Sequence, residues 1–210
     1  MTTRMKFCGI TRAEDARAAQ ACGADAIGLI FHPRSPRAVD VERARTVVAG
    51  LAPLMVRVAV FVDPEPAMVA AVLSCGIADV LQFHGAEPPE FCRGFGRRYL
   101  KAIRMEPGVD LTAQARRYAD ASALLVDTFA PDRHGGVGTT FDWNRLPPRL
   151  ELPLVLAGGL TPANVREALA AVRPYAVDVA SGVESAPGIK DHGLMALFAQ
   201  AVRGADTQSN

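Results

Sequence analysis

Short apolar runs alternate along the chain with stretches whose apolar residues recur at helical spacing, from one end to the other. The pattern predicts a first strand at Met5–Cys8, broken by Gly9, and an alanine-rich helix over 12–22 that Gly23 closes. Thr11, with Glu14 three residues on, fits a capping box at that helix start. Further strands are predicted at Ala26–Phe31, Arg57–Phe61, Val80–Phe83, Tyr99–Ile103, Leu124–Asp127, Leu154–Ala157 and Ala176–Ala180. Helical patterns follow them: Val41–Leu51 capped by Asp40, a run from Asp63-Pro64-Glu65-Pro66 to Cys75, a short helix at Pro89–Arg93, and Thr112–Asp120. A helix opened by Thr161-Pro162 and a last one at Asp191–Arg203 complete the series.

Eight strand-then-helix units in one short domain predict a (β/α)8 barrel over residues 1–204, with 205–210 as a loose tail. A doubly wound open sheet shares the same element order and is the structural alternative. The stretch Thr128–Pro148, with Gly135-Gly136-Val137-Gly138, has little regular pattern, and a loop of that length predicts a lid.

Alternate residues of a strand share a face, so Lys6 and Cys8 point together, and Gln82, Asp127 and Asp178 join them in a barrel lumen. Strand ends on the C-terminal rim are where such barrels carry chemistry, which makes Cys8 and Asp127 the leading candidates. Each has a plainer reading. A free cysteine is usually a small buried hydrophobe, and an aspartate after a strand is commonly a turn or cap residue. Asp178 is read as a substrate contact, and its plainer reading is a structural pair with Lys6, since buried carboxylates need partners.

Gly158-Gly159 and Ser181-Gly182 follow the last two strands, where backbone amides freed of side chains can approach a phosphate. Arg37, after the second strand, could clamp a carboxylate with a two-pronged hydrogen bond, or be solvated. His32, His84, His134 and His192 fit no metal-binding spacing, so no metal site is expected.

Composition narrows the class. Of 210 residues, 50% are hydrophobic and 21% charged, the range of a folded globular domain. The formal net charge of +1 argues against broad capture of nucleic acid or membrane, so an anion would need a local site. Cys8, Cys22, Cys75 and Cys92 are widely spaced, without a C-x-x-C pair, which favours reduced thiols and a cytoplasmic location. No segment approaches the ~20 apolar residues of a membrane span.

Several segments carry a resemblance: Lys6-Phe7-Cys8-Gly9-Ile10-Thr11, Ser35-Pro36-Arg37, Gln82-Phe83-His84-Gly85, Val126-Asp127-Thr128 and Phe141-Asp142-Trp143. Leu156-Ala157-Gly158-Gly159-Leu160, Asp178-Val179-Ala180-Ser181-Gly182-Val183-Glu184 and Pro187-Gly188-Ile189-Lys190-Asp191 complete the set. Together they resemble the phosphoribosylanthranilate isomerases of tryptophan biosynthesis. The resemblance implies a (β/α)8 barrel and a cofactor-free Amadori rearrangement of N-(5-phosphoribosyl)anthranilate to 1-(2-carboxyphenylamino)-1-deoxyribulose 5-phosphate. It implies Cys8 as base, Asp127 as acid and Arg37 as the anthranilate-binding group, in a monomer or homodimer. One departure stands in the lid, where Val137 and Thr139 occupy places near an expected small hydroxyl and lysine.

Such chemistry needs a protonated acid at the ribose ring oxygen and a thiolate at C2. The cation of Lys6, on the face of Cys8, is expected to pull the thiol down from its ordinary ~8.5. The histidine-pathway aminoaldose isomerase is the nearest enzymatic alternative, but it uses aspartate where Cys8 stands. A non-catalytic barrel that binds a phosphorylated metabolite would explain the glycine sites alone.

Overall fold

The computed structural model describes residues 2–127, 142–147 and 149–208. Eight strands pair in chain order, each parallel to the next, and the eighth returns to the first. They are β1 (Arg4–Phe7), β2 (Ala26–Ile30), β3 (Val56–Phe61), β4 (Val80–Phe83), β5 (Tyr99–Arg104), β6 (Ala123–Asp127), β7 (Leu154–Leu156) and β8 (Ala176–Val179). Closure removes the open-sheet alternative: β1 sits against β8 with Lys6 opposite Asp178, and against β2 with Lys6 opposite Ala26.

Seven α-helices are described around the ring: α1 (Ala13–Ala21), α2 (Val41–Val48), α3 (Pro66–Ser74), α4 (Pro89–Arg93), α5 (Leu111–Arg117), α6 (Val165–Val172) and α7 (His192–Gln208). Between β6 and β7 the described residues hold a single 3-10 turn, Trp143–Arg145. Arg145 ties it to the carbonyls of Met105 at 2.9 Å and Glu106 at 2.5 Å. The lid expected over 128–148, including Val137 and Thr139, otherwise lies outside the described residues.

Strand alternation sorts the side chains into two layers. Phe7, Leu29, Phe61, Phe83 and Val177 face outward into the main core under the helices, all fully buried. Val58, Val60, Ala102, Leu125, Val155 and Ala176 fill the lumen. Burying one phenyl ring contributes about 1.5–3 kcal/mol. Phe83 stacks on Phe61 at 6.2 Å and meets Phe91, Phe95 and Tyr99, which pins β4 from outside. Gln82 and His84, on the other face of that segment, are fixed by the same packing.

Three local expectations change. Thr11 does not cap α1; Arg12 takes the N-cap place without a capping side-chain bond, and the Thr11 hydroxyl donates to the Gly188 carbonyl at 2.5 Å. A tertiary acceptor has displaced the local one. The helix expected at Thr161-Pro162 begins at Val165, because Thr161 and Asn164 bond each other in a turn: Thr161 N donates to Asn164 Oδ1 at 2.8 Å. The predicted loose tail is corrected over 205–208: α7 runs on to Gln208, and Asp206 accepts hydrogen bonds from Thr3 N and Oγ1 at 2.9 and 2.8 Å. An unexpected antiparallel hairpin, β9 (Glu184–Ala186) and β10 (Ile189–Lys190), follows β8.

Candidate active site

A cavity of about 410 Å³ opens at the C-terminal rim of the barrel, lined by Cys8, Arg37, Gln82, His84, Asp127, Gly158, Gly159, Asp178 and Ser181 among others. Of the residues singled out from sequence, Lys6 and Gly182 are not in this lining. Lys6 lies beneath it, buried, with Nζ donating to Asp178 Oδ1 at 2.9 Å. Gly182 packs on the carbonyl of Leu160, so close that a Cβ would collide with it, and this presses the loops after β7 and β8 together.

Cys8 stands one residue past β1, with its amide donating to the Val179 carbonyl at 2.8 Å, and it is 6% exposed. Space for its sulfur comes from Gly28 on β2: a Cβ there would lie 2.6 Å from Cys8 Sγ and 3.1 Å from Lys6 Nζ. Burial raises the thiol above its ordinary range; the Lys6 cation opposes that rise, and the Asp178 carboxylate adds to it. The expected downward pull of Lys6 is therefore present but outweighed. Burial also works against the Lys6 ammonium, yet Asp178 and the neighbouring thiol overcome it and hold the lysine charged.

Asp127 ends β6, three strands round the ring from β1. His84 Nε2 lies 3.2 Å from Asp127 Oδ2, and Gln82 Nε2 lies 3.2 Å from His84 Nδ1. With the Gln82 amide donating, Nδ1 is the acceptor and a neutral imidazole carries its proton on Nε2, the nitrogen nearer Asp127. Gln82 Oε1 is buried at the cavity wall without a partner among the described residues.

Gly158 and Gly159 both have left-handed backbones, φ +81° and +66°, and with Ser181 they form one side of the cavity. Arg37 enters from the loop after β2. Its Nε and Nη2 donate to the two carboxylate oxygens of Glu184 at 2.8 and 2.6 Å, so one edge of the guanidinium is already occupied. The Nη1 edge is outside that fork.

The sequence profile described as N-(5'phosphoribosyl)anthranilate (PRA) isomerase matches residues 5–201. The chain belongs to this family. It is 56% identical over 201 residues to the N-(5'-phosphoribosyl)anthranilate isomerase of Acidithiobacillus ferrooxidans, covering 96% of this chain and 98% of that one. The phosphoribosylanthranilate isomerase crystal structure from Thermotoga maritima superposes with a TM-score of 0.85 at 40% identity, covering 97% of this chain and 100% of that one. Another family structure, in complex with reduced 1-(o-carboxyphenylamino)-1-deoxyribulose 5-phosphate, gives 0.82 at 38% identity with the same coverage.

Three groups at this family site escaped the sequence reading. His84 had a usable signal, since it follows Gln82 by two and so continues its face. Glu184 and Lys190 stood within the resembling segments but without a role: the β9–β10 hairpin brings Lys190 Nζ to 2.8 Å from Glu184 Oε1, and no spacing rule announces that pairing.

Proposed function

We propose that Cys8 and Asp127 are the base and acid by which this chain isomerises N-(5-phosphoribosyl)anthranilate, the family's reaction in tryptophan biosynthesis. The single observation behind the assignment is that a thiol and a carboxyl from β1 and β6 meet one cavity at the barrel rim. The reaction is internal, so its protons and electrons balance within the substrate and these two groups.

Asp127 gives its proton to the ribose ring oxygen while the C1–O bond breaks and the amine lone pair forms a C=N bond. The thiolate of Cys8 takes the C2 proton. The released pair forms a C1–C2 double bond and returns the iminium electrons to nitrogen. Gain of a proton at C1 and loss of one from the C2 hydroxyl then leave the amino ketone.

The working state, carboxyl with thiolate, holds as many protons as carboxylate with thiol. The ratio of these two states is set by the balance between the sites rather than by external pH. A cationic iminium next to Cys8, with Lys6 behind the sulfur, favours the thiolate at the moment it is needed. The polar imidazole edge of His84, 3.2 Å from Asp127 Oδ2, steadies the carboxylate once its proton is gone. Phosphate at Gly158, Gly159 and Ser181 and anthranilate carboxylate at Arg37 would anchor the two ends, so that binding energy there aligns C1 and C2. Asp178 serves as the charge partner of Lys6.

The test follows turnover of freshly prepared phosphoribosylanthranilate against its spontaneous decay. Cys8→Ala and Asp127→Asn should each lower kcat by about 10²–10⁴-fold while product still binds. Near-normal turnover by either variant rejects that residue's role.

A further inference from the structure

We infer that Glu184 is a positioning residue that sets the specificity of this site for an aryl carboxylate, by holding one edge of Arg37 so that the other is presented to the substrate. The inference rests on the reading of Arg37 as the carboxylate-binding group and extends it to a residue from a different part of the chain.

The geometry is a built clamp. Both oxygens of Glu184 are engaged by Arg37, at 2.8 Å to Nε and 2.6 Å to Nη2, and the Glu184 side chain is only 5% exposed. Behind it, Lys190 Nζ, fully buried, donates to Glu184 Oε1 at 2.8 Å and to the Ala180 carbonyl at 2.9 Å. The Gly188 amide reaches the same Oε1 at 3.3 Å, and the Gly188 carbonyl accepts from Thr11. The β9–β10 hairpin is thus tied to the loop after β1. Gly9, in that loop, lets the Arg37 stem cross close by: a Cβ there would stand 2.6 Å from Arg37 Cδ.

A guanidinium has five N–H donors in a planar fork and can serve two carboxylates at once through different edges. With Nε and Nη2 committed to Glu184, the remaining edge, Nη1 with the second Nη2 hydrogen, is the one a planar aromatic carboxylate can meet. Charge agrees with this division. Arg37 and Lys190 supply two cations and Glu184 one anion, so the cluster keeps one net positive charge for an anionic ligand. Burial alone would raise the Glu184 carboxyl, but Arg37 and Lys190 overcome it and keep it ionised.

A merely structural Glu184 would affect every substrate alike; a positioning role is selective. The experiment compares phosphoribosylanthranilate with N-(5-phosphoribosyl)aniline, which lacks the carboxyl, in Glu184→Gln and Arg37→Met enzymes. Glu184→Gln should raise KM for phosphoribosylanthranilate by about tenfold or more, the loss of two charge-assisted hydrogen bonds behind the fork. Its kcat should stay within about threefold, and kinetics with the aniline compound should be unchanged. Arg37→Met should show the same selectivity more strongly. If Arg37→Met is selective and Glu184→Gln is not, or binds the carboxylated substrate more tightly, the inference is overturned and the reading of Arg37 stands. If Arg37→Met is unselective, that reading has failed and the inference falls with it. Should Glu184→Gln not fold, Glu184→Asp keeps the charge but draws the fork back by one methylene, and the same selectivity decides.

Discussion

Lys6 and Asp178 are opposite one another on β1 and β8, and their charges meet at 2.9 Å beneath the sulfur of Cys8. The two act on the thiol with opposite sign: the ammonium draws it down, and the carboxylate pushes it up on top of the effect of burial. Alkylation of Cys8 by iodoacetamide, followed on its own peptide, should reach half-rate at a pH above the ordinary ~8.5. Lys6→Met should move that midpoint higher and Asp178→Asn lower. Shifts in the same direction would contradict the arrangement. Peptide-level reading is needed because burial also raises Cys22, and raises Cys92 to about 12.

Under the proposed assignment, the Lys6–Asp178 pair also acts on the pH profile of catalysis through Cys8. With Cys8 as the proposed base and Asp127 as the proposed acid, losing the last proton they share leaves thiolate with carboxylate, a state with no acid. Activity therefore falls as pH rises through the raised thiol, and the plateau of kcat/KM should extend past ~8.5. In Asp178→Asn the alkaline limb should move down together with the alkylation midpoint. A limb that stays put while the midpoint moves would separate Cys8 from the catalytic base.

His84 links β4 to Asp127, the proposed acid, with Nε2 at 3.2 Å from Oδ2. His84→Leu removes the imidazole that lies against this carboxyl and should lower kcat on the order of tenfold with little change in KM. His84→Asn, which keeps a donor, should recover part of that loss. Steady-state kinetics decide it: a wild-type kcat in the leucine variant would leave His84 no part in supporting Asp127.

Gly28 makes the room in which the Cys8 sulfur sits. Gly28→Ala would bring a methyl to 2.6 Å from Cys8 Sγ and 3.1 Å from Lys6 Nζ, inside a packed lumen. Overpacking of this kind costs about 1–3 kcal/mol, and the shift falls on the sulfur itself. Thermal unfolding should show a lower Tm, and kcat should fall with it. An alanine enzyme of unchanged Tm and kcat would mean that the lumen yields more easily than its packing implies.

Much of the molecule was legible in order of residues. Alternating apolar runs located eight strands within a residue or two, because period-2 burial is a local property that each strand writes for itself. The same alternation put Lys6, Cys8, Gln82, Asp127 and Asp178 on one face, and the cavity brings together all but Lys6, which supports it from below. Helix starts were less secure, since Thr11 had a local partner in Glu14 and a better one 177 residues away at Gly188.

What the chain alone determined, then, were the strands, their inward residues and the family motifs, since each is encoded within a few neighbouring positions. Closure of β8 on β1 decided the rest. It set Asp178 against Lys6, let burial outweigh the lysine in setting the thiol, and left Arg37 forked on Glu184 rather than open on both edges. Those outcomes depend on distances between residues more than a hundred positions apart and on how much water closure removes, and neither quantity is written in local order.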